Sequence, residues 1–289
     1  MVTPVGFCAN PDTAATNPHQ AENPEDLSTI RQQAVAEHRH FRELLTSNGV
    51  QVTVFEGNPN HSDDVFCNNW FSTHQDGSFC LYPMMAKSRR LERRSDIIDY
   101  MTKHYQLKMD LSPSENIGQF LESTGSLVLD RVHRQVFAAL SPRTNENLIQ
   151  QWCHNMGYTP CLFESTDKCG SLEYHTNVIL FVGSSIAGFC PQNIRDDQQR
   201  QNLRSALSKH HALLELSPDQ VNNFAANALE VRNSQGQRIL IISQRGWNSL
   251  TSPQKDLIHQ HVDQVLTPSI PTLETYGGGS ARCCLGELF

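Results

Sequence analysis

The sequence predicts an α/β fold: five β-β-α-β units packed around a common axis, with their helices outside. Three observations predict it. A helix followed by a short apolar strand recurs along the chain. A pair of apolar runs joined by a turn precedes most of these helices. One polar or reactive residue stands at the same place in each unit, just ahead of a strand. A single unit of this kind cannot bury its own apolar face, so its neighbours must cover it.

The helical stretches follow in order. PEDLSTIRQQAVAEHRHFRELL opens on Asn23-Pro24, read as N-cap and first helical residue, and closes near Asn48-Gly49; the strand QVTVFEG is expected next. SRRLERRSDIIDYMTKHY precedes the strand QLKMDLS. NENLIQQWCHNMG, capped by Asn145 and stopped by Gly157, precedes YTPCLFES. RDDQQRQNLRSALSKHH precedes ALLELS. SPQKDLIHQHVDQVL, opened by Ser252-Pro253, is expected to precede a strand at PTLETY. The hairpins ahead of the helices are SLVLDRVHRQVFAALS, NVILFVGSSIAGFCP and ALEVRNSQGQRILIIS. In the last, Asn233-Ser234-Gln235-Gly236 is turn chemistry between two β-rich runs. The end of the chain, GGGSARCCLGELF, is expected to pair with the N-terminal VTPVGF and close the ring.

The residues that open the units are Asn69 (beside Asn68 and Trp70), Glu122, His175, Asn227 and Cys283, spaced 53, 53, 52 and 56 apart. Equivalent strand starts in a ring point at one place. The spacing therefore gathers a carboxylate, an imidazole, amides and a thiol around a single pocket, which is a catalytic constellation.

Composition narrows the chemistry. The 289 residues include 23 Lys and Arg against 30 Asp and Glu, a formal net charge of −7. Binding to nucleic-acid backbones or anionic lipid needs a positive field, so neither partner is expected. Mean hydropathy is −0.45. No apolar stretch approaches the roughly 18 residues of a membrane span. MVTPVGFCANPDTAATNPHQ has neither the basic nor the apolar region of a secretory signal. The expectation is a soluble, cytoplasmic protein with one catalytic domain over residues 1–289, and a homo-oligomer stays open. Nine cysteines are present with no C-x-x-C pair, so reduced, mostly buried thiols are expected.

A thiol, an imidazole and a carboxylate suit nucleophilic attack on an electrophilic carbon. A free cysteine has a pKa near 8.5, so a neighbouring base must activate it. Histidine can also protonate a leaving amine and then deprotonate water. Glu122 would bind a planar nitrogen group through charge-assisted hydrogen bonds. Gly277, Gly278 and Gly279 would let backbone approach a ligand closely. The run GGGSARC matches no nucleotide fingerprint. His38-Arg39-His40, His210-His211 and His259-Gln260-His261 lie on amphipathic stretches without an acidic partner at ligand spacing, so no metal is expected there. Arg89, Arg90, Arg93 and Arg94 read as a solvated helix face neutralised by Glu92, Asp96 and Asp99.

Seven segments in order, DDVFCNNW, SRRLERR, LESTGSLVLD, LSPRTN, EYHTNVILFVG, FAANALEV and GGGSARC, resemble the guanidine-modifying (pentein) superfamily. That group includes arginine deiminases, dimethylarginine dimethylaminohydrolases and amidinotransferases. FCANPDTAATNPHQ, NNWFSTH and STGSLVLDR look most like the arginine-deiminase-related branch with its citrulline hydrolases (ureidases). The resemblance implies a five-bladed α/β propeller, a covalent thiouronium-type intermediate on cysteine, and no metal or organic cofactor. It implies Cys283 as nucleophile, Cys284 as a non-catalytic neighbour, His175 as catalytic histidine and Glu122 as the catalytic acid residue. Arg143 and Arg89 match arginines that hold a substrate α-carboxylate, with Arg90 as an alternative to Arg89. Asp63 matches an acidic position near the pocket entrance.

Two departures shape the substrate expectation. Guanidine-processing members carry an acidic residue where this chain has Asn68 and Asn69, and an H-x-D where it has His175-Thr176-Asn177. Amides cannot neutralise a guanidinium, but an amide N–H suits the oxygen of a ureido group. The reading is therefore a hydrolase of a small ureido amino acid, citrulline to ornithine, carbon dioxide and ammonia. A deiminase or amidinotransferase on a guanidine substrate, and a non-catalytic binding module, are the alternatives.

Overall fold

The computed structural model describes residues 1–289 except 24, 25 and 168. Among the described residues the strands form four three-stranded sheets of one design. In the first, β1 (Phe71–Thr73) and β2 (Ser78–Leu81) form an antiparallel hairpin. The helix Ser95–His104 then crosses over, and β3 (Gln106–Asp110) returns parallel to β2. The second sheet repeats this with β4 (Val128–Asp130), β5 (Gln135–Ala139), the helix Glu146–Met156 and β6 (Thr159–Phe163). The third uses β7 (Leu180–Val182), β8 (Ile186–Phe189), the helix Asp197–Ser208 and β9 (Ala212–Glu215). The fourth uses β10 (Leu229–Arg232), β11 (Arg238–Ile241), the helix Ser252–His261 and β12 (Gln264–Leu266).

Local chemistry explains the boundaries. Asn145 caps its helix by accepting from the Leu148 N–H at 3.3 Å, and Gly157 ends it at φ 69°. Asp196 does the same for its helix through the Gln199 N–H at 2.7 Å. The middle strands β2 and β8 are buried along their whole length, as strands flanked on both edges and covered on both faces must be.

Each unit hides its apolar face against the next. Phe137 and Ala139 of β5 share a core with Val178, Leu180 and Phe189 of the following unit. Phe181 and Ile186 share one with Leu240 and Ile242. Met1, Phe7 and the helix Leu27–Ser47 pack with Ile239, Ile241 and residues Cys283 to Leu285, so the two ends of the chain meet in one core.

Several boundaries differ from the sequence reading. The first helix begins at Leu27, capped by Asp26; Pro24 lies outside the described residues, and Asn23 bonds both backbone groups of Ala9 instead. QVTVFEG and VTPVGF form no strands, only a parallel bridge between Val2 and Phe55. The C-terminal run folds as turns and does not pair with the N-terminus. It is tied to the first sheet, where Thr73 Oγ1 donates to the Glu287 carbonyl at 2.6 Å and Tyr105 Oη to that of Phe289 at 2.7 Å. PTLETY is a helix, Pro271–Gly277, because Pro271 supplies a favourable first position and Gly278 a left-handed stop at φ 62°. Its expected strand comes earlier, as β12, where Leu266 is buried.

A short helical turn stands before three of the opening strands: Cys67–Asn69, Ser123–Ser126 and Thr176–Val178. The middle turn is bonded to the other two. Thr124 Oγ1 donates to the Asn68 carbonyl at 3.1 Å, and Thr176 Oγ1 to the Ser126 carbonyl at 2.6 Å. The unit starts are thereby drawn to one centre.

Candidate active site

Glu122 and His175 meet directly. Nε2 of His175 lies 2.7 Å from Oε2 of Glu122, and both side chains are almost wholly buried. Arg143 Nη1 sits 3.6 Å from the same carboxylate oxygen. Burial alone would raise the Glu122 pKa; Arg143 and the His175 bond overcome it and hold the carboxyl below its usual range. Burial dominates at His175 and keeps the imidazole below its ordinary value, against the pull of Glu122. The turn beside Glu122 needs a glycine, because a Cβ on Gly125 would lie 2.4 Å from Asn69 Nδ2 and 2.8 Å from His175 Nδ1.

Cys283 is buried and held by two amides. Asn227 accepts the Arg282 backbone N–H on Oδ1 at 3.0 Å, which turns its Nδ2 toward the sulfur at 3.3 Å; Nδ2 of Asn177 is 3.6 Å away. The adjacent Cys284 is different. Its sulfur points at the Ser280 carbonyl, and burial, with Cys283 next in order, pushes its pKa far above normal. All nine cysteines are free thiols, and Cys169 alone among them is exposed.

Cys283, His175, Asn69, Asp63, Arg89 and Arg143 line one cavity of about 20 Å³. That is room for one water molecule. It is covered by the N-terminal segment and the glycine loop. Asn17 Nδ2 donates to the Gly277 carbonyl at 3.1 Å, and Tyr174 Oη to that of Gly278 at 2.6 Å. Thr16 Oγ1 accepts from Arg143 Nη2 at 2.5 Å. The expected close approach at the glycines is real, but it is to protein: a Cβ on Gly277 would meet Phe66, and one on Gly278 would meet Asn17.

Three polar atoms in the cavity wall have no partner: Asp63 Oδ1, Asn69 Nδ2 and Arg143 Nε. Asn69 is oriented by Arg89, whose Nη1 donates to its Oδ1 at 2.9 Å. Arg89 is otherwise engaged with both Glu92 oxygens, at 2.7 and 3.0 Å, and the Phe66 carbonyl. The arginine cluster is thus not a solvated face: Arg89 is buried, and Arg93 grips Glu115 at 2.6 and 2.9 Å. Arg90 spends Nε on the Met84 carbonyl and lies outside the cavity wall. Asn68 also turns away, donating to Thr124 Oγ1 at 3.2 Å. Asp63 accepts from Asn10 Nδ2 at 2.8 Å on its other oxygen; burial, opposed by Arg89, raises its pKa.

Sequence spacing reached all five unit-start residues but assigned no site role to Asn227. It missed Tyr174, whose ring lies 5.0 Å from the Arg143 guanidinium carbon, and Thr13, Thr16 and Asn17. Tyr174 precedes His175 in the chain and was findable. The N-terminal residues lie outside the repeat, so no periodicity marks them.

A family profile described as N,N dimethylarginine dimethylhydrolase, eukaryotic, matches residues 3–289. The chain belongs to that family. It is thereby a member of the guanidine-modifying superfamily and a hydrolase acting on carbon–nitrogen bonds. No curated protein matches the sequence. Among solved structures, the N-terminal domain of ArgZ, an arginine dihydrolase from the ornithine-ammonia cycle in cyanobacteria, superposes with a TM-score of 0.77 at 15% identity; the match covers 98% of this chain and 95% of that one. AgrE in complex with L-arginine gives a TM-score of 0.78 at 17% identity over 98% of this chain. A dimethylarginine dimethylaminohydrolase adduct gives 0.65 at 13%, covering 98% and 96%. This chain spans 39% of the longer ArgZ and AgrE chains. At these identities the likeness establishes the α/β fold of repeated three-stranded sheets. No helix among the described residues is long and apolar enough to cross a membrane.

Proposed function

We propose that the chain is a cysteine hydrolase of arginine-class guanidino amino acids. It acts as a single domain over residues 1–289, with the terminal segments, packed in one core, taking the place of a fifth propeller blade. The observation that carries this reading is one cavity with the Cys283, His175 and Glu122 set in or behind its wall and unpartnered groups of opposite sign, Arg143 Nε and Asp63 Oδ1. A zwitterionic substrate with a cationic head needs both signs. Family membership supports the same class.

The residues divide the work. The Cys283 sulfur attacks the guanidino carbon as its proton passes to His175. The carbon–nitrogen bond breaks, the amine leaves with that proton, and a thiouronium remains on sulfur. A water then loses a proton to His175 and attacks the same carbon; the carbon–sulfur bond breaks and the thiol is restored. Arginine would give citrulline and ammonia; a dimethylated arginine would give citrulline and dimethylamine. Glu122 holds the imidazole and offsets its charge. Arg143 takes the substrate carboxylate, released from Thr16 as the cover opens. Arg89 acts by holding Asn69 and Glu92, a positioning role in place of direct carboxylate binding.

Asp63, whose free carboxylate oxygen lies in the cavity wall, supplies a counter-charge for a guanidinium that the amides lack. One observation favours keeping the ureido group as a second stage. Asn69 Nδ2 is an unpartnered donor in the cavity wall, suited to a ureido oxygen. On this second reading citrulline is hydrolysed onward to ornithine, carbon dioxide and ammonia.

Incubation of the purified protein with arginine, asymmetric dimethylarginine and citrulline, scored for amine, citrulline and ornithine, separates these readings. Consumption of a guanidino substrate is expected. Ornithine from both arginine and citrulline supports the second stage. Turnover of citrulline with neither guanidino substrate consumed would overturn the proposal.

A further inference from the structure

We propose that Asp130, His133 and His211 form a binding site for one divalent transition-metal ion, zinc by ligand type. Asp130 ends β4, His133 lies in the turn to β5, and His211 immediately precedes β9 of the next sheet, so the site clasps two neighbouring units. Their ligand atoms all lie within 4.8 Å of one another. None of the three lines the Cys283 cavity.

His211 carries the argument. Its side chain is 1% exposed. Nδ1 lies 3.1 Å from the Leu207 carbonyl, which can only accept, so the proton is on Nδ1. Nε2 is buried without a hydrogen-bond partner and faces Asp130 Oδ2 at 3.4 Å. Two electron-rich atoms confront one another there, which is unfavourable unless a cation lies between them. A proton would draw the pair to about 2.7–2.9 Å, as charged hydrogen bonds do. A tetrahedral zinc with bonds near 2.1 Å separates its ligands by about 3.4 Å, which is the spacing present.

The remaining ligands fit the same ion. His133 Nδ1 is hydrogen-bonded to Asp130 Oδ2 at 2.9 Å; on binding the ion it releases that proton to solvent and moves out by about half an ångström, at a turn position where its side chain is 28% exposed. Asp130 Oδ1 accepts the backbone N–H groups of Val132 and His133 at 3.1 and 2.9 Å, and the Leu207 carbonyl orients His211. Metal ligands are held in this way by their outer partners. His133 stacks on the His210 ring at 3.6 Å, and with three protein ligands the fourth position is left to water. The sequence lacked an acidic residue beside His210-His211 because Asp130 arrives from another sheet.

The test uses chelator-treated full-length protein titrated with zinc, by calorimetry and by thermal unfolding. Wild type and Cys283→Ser are expected to bind one equivalent and to gain several degrees in Tm at about 100 μM zinc, since binding to the folded state alone stabilises it. His133→Ala, at the exposed ligand, is expected to lose at least about tenfold in affinity together with the Tm gain. Cobalt should give the visible d–d bands of a four-coordinate nitrogen and oxygen site with no sulfur charge-transfer band. Absence of stoichiometric binding, equal binding by His133→Ala, or a sulfur band lost in Cys283→Ser would overturn the site.

Discussion

Replacing Cys283 with serine will lower turnover of the preferred guanidino substrate by at least about 10⁴-fold while leaving the thermal unfolding midpoint nearly unchanged. Loss of a covalent nucleophile costs this much in enzymes built on one, because the remaining binding groups cannot supply a two-step path. The sulfur is the group on which Asn227 and Asn177 converge their amide N–H donors, at 3.3 and 3.6 Å. Serine is close in volume, so the surrounding core formed by Cys284, Ala281 and Leu285 has no cavity to absorb. Cys284→Ser gives the control: its thiol is bonded to the Ser280 carbonyl and takes no part in the cavity wall, so activity should stay within a few-fold. Equal losses in the two variants would mean a packing role for both.

His175→Asn should lower turnover by about 10³-fold, within the range that positioned acid–base groups contribute. The pH profile carries the finer test. An ordinary histidine titrates near 6.5. Burial holds His175 below that value, with Arg143 and Arg89 adding repulsion and Glu122 only partly opposing them. The imidazole must be unprotonated to accept a proton, so activity is present above the lowered value and falls as pH drops through it. The acid limb of kcat/KM should therefore lie below 6.5 in the wild type and be absent from the residual activity of His175→Asn. An acid limb unchanged in that variant would assign it to another group.

The fold was legible where helix caps and strand patterns agreed. Asn145 and Gly157 bracket their helix as read, and the three hairpins fall where their turns predicted. The ends of the chain were not legible. QVTVFEG alternates like a strand, yet with only Val2 beside it the backbone makes one bridge. PTLETY has β-branched and aromatic residues, but Pro271 and Gly278 impose helix termini and those local constraints win. At the site, even spacing located the unit-start residues because each stands on the turn before an opening strand. It could not tell Asn68 from Asn69, where one step along a helical turn sends one side chain to Thr124 and the other to the cavity. Nor could it show that Arg89 is held by its own neighbours while it lines the cavity. Arg89 is bound to Glu92 three residues on, a contact visible in the sequence only once the turn Ser88–Glu92 is known.

In the proposed function Cys283, His175, Glu122 and Arg143 work as one site on one substrate. Alkylation by 2-chloroacetamidine, mapped by peptide mass with and without saturating arginine or dimethylarginine, tests this most directly. The predicted result is a single adduct on Cys283 that substrate suppresses, with exposed Cys169 reacting slowly and without protection. Cys283 left unmodified, or modified at the same rate whether or not substrate is present, would contradict it.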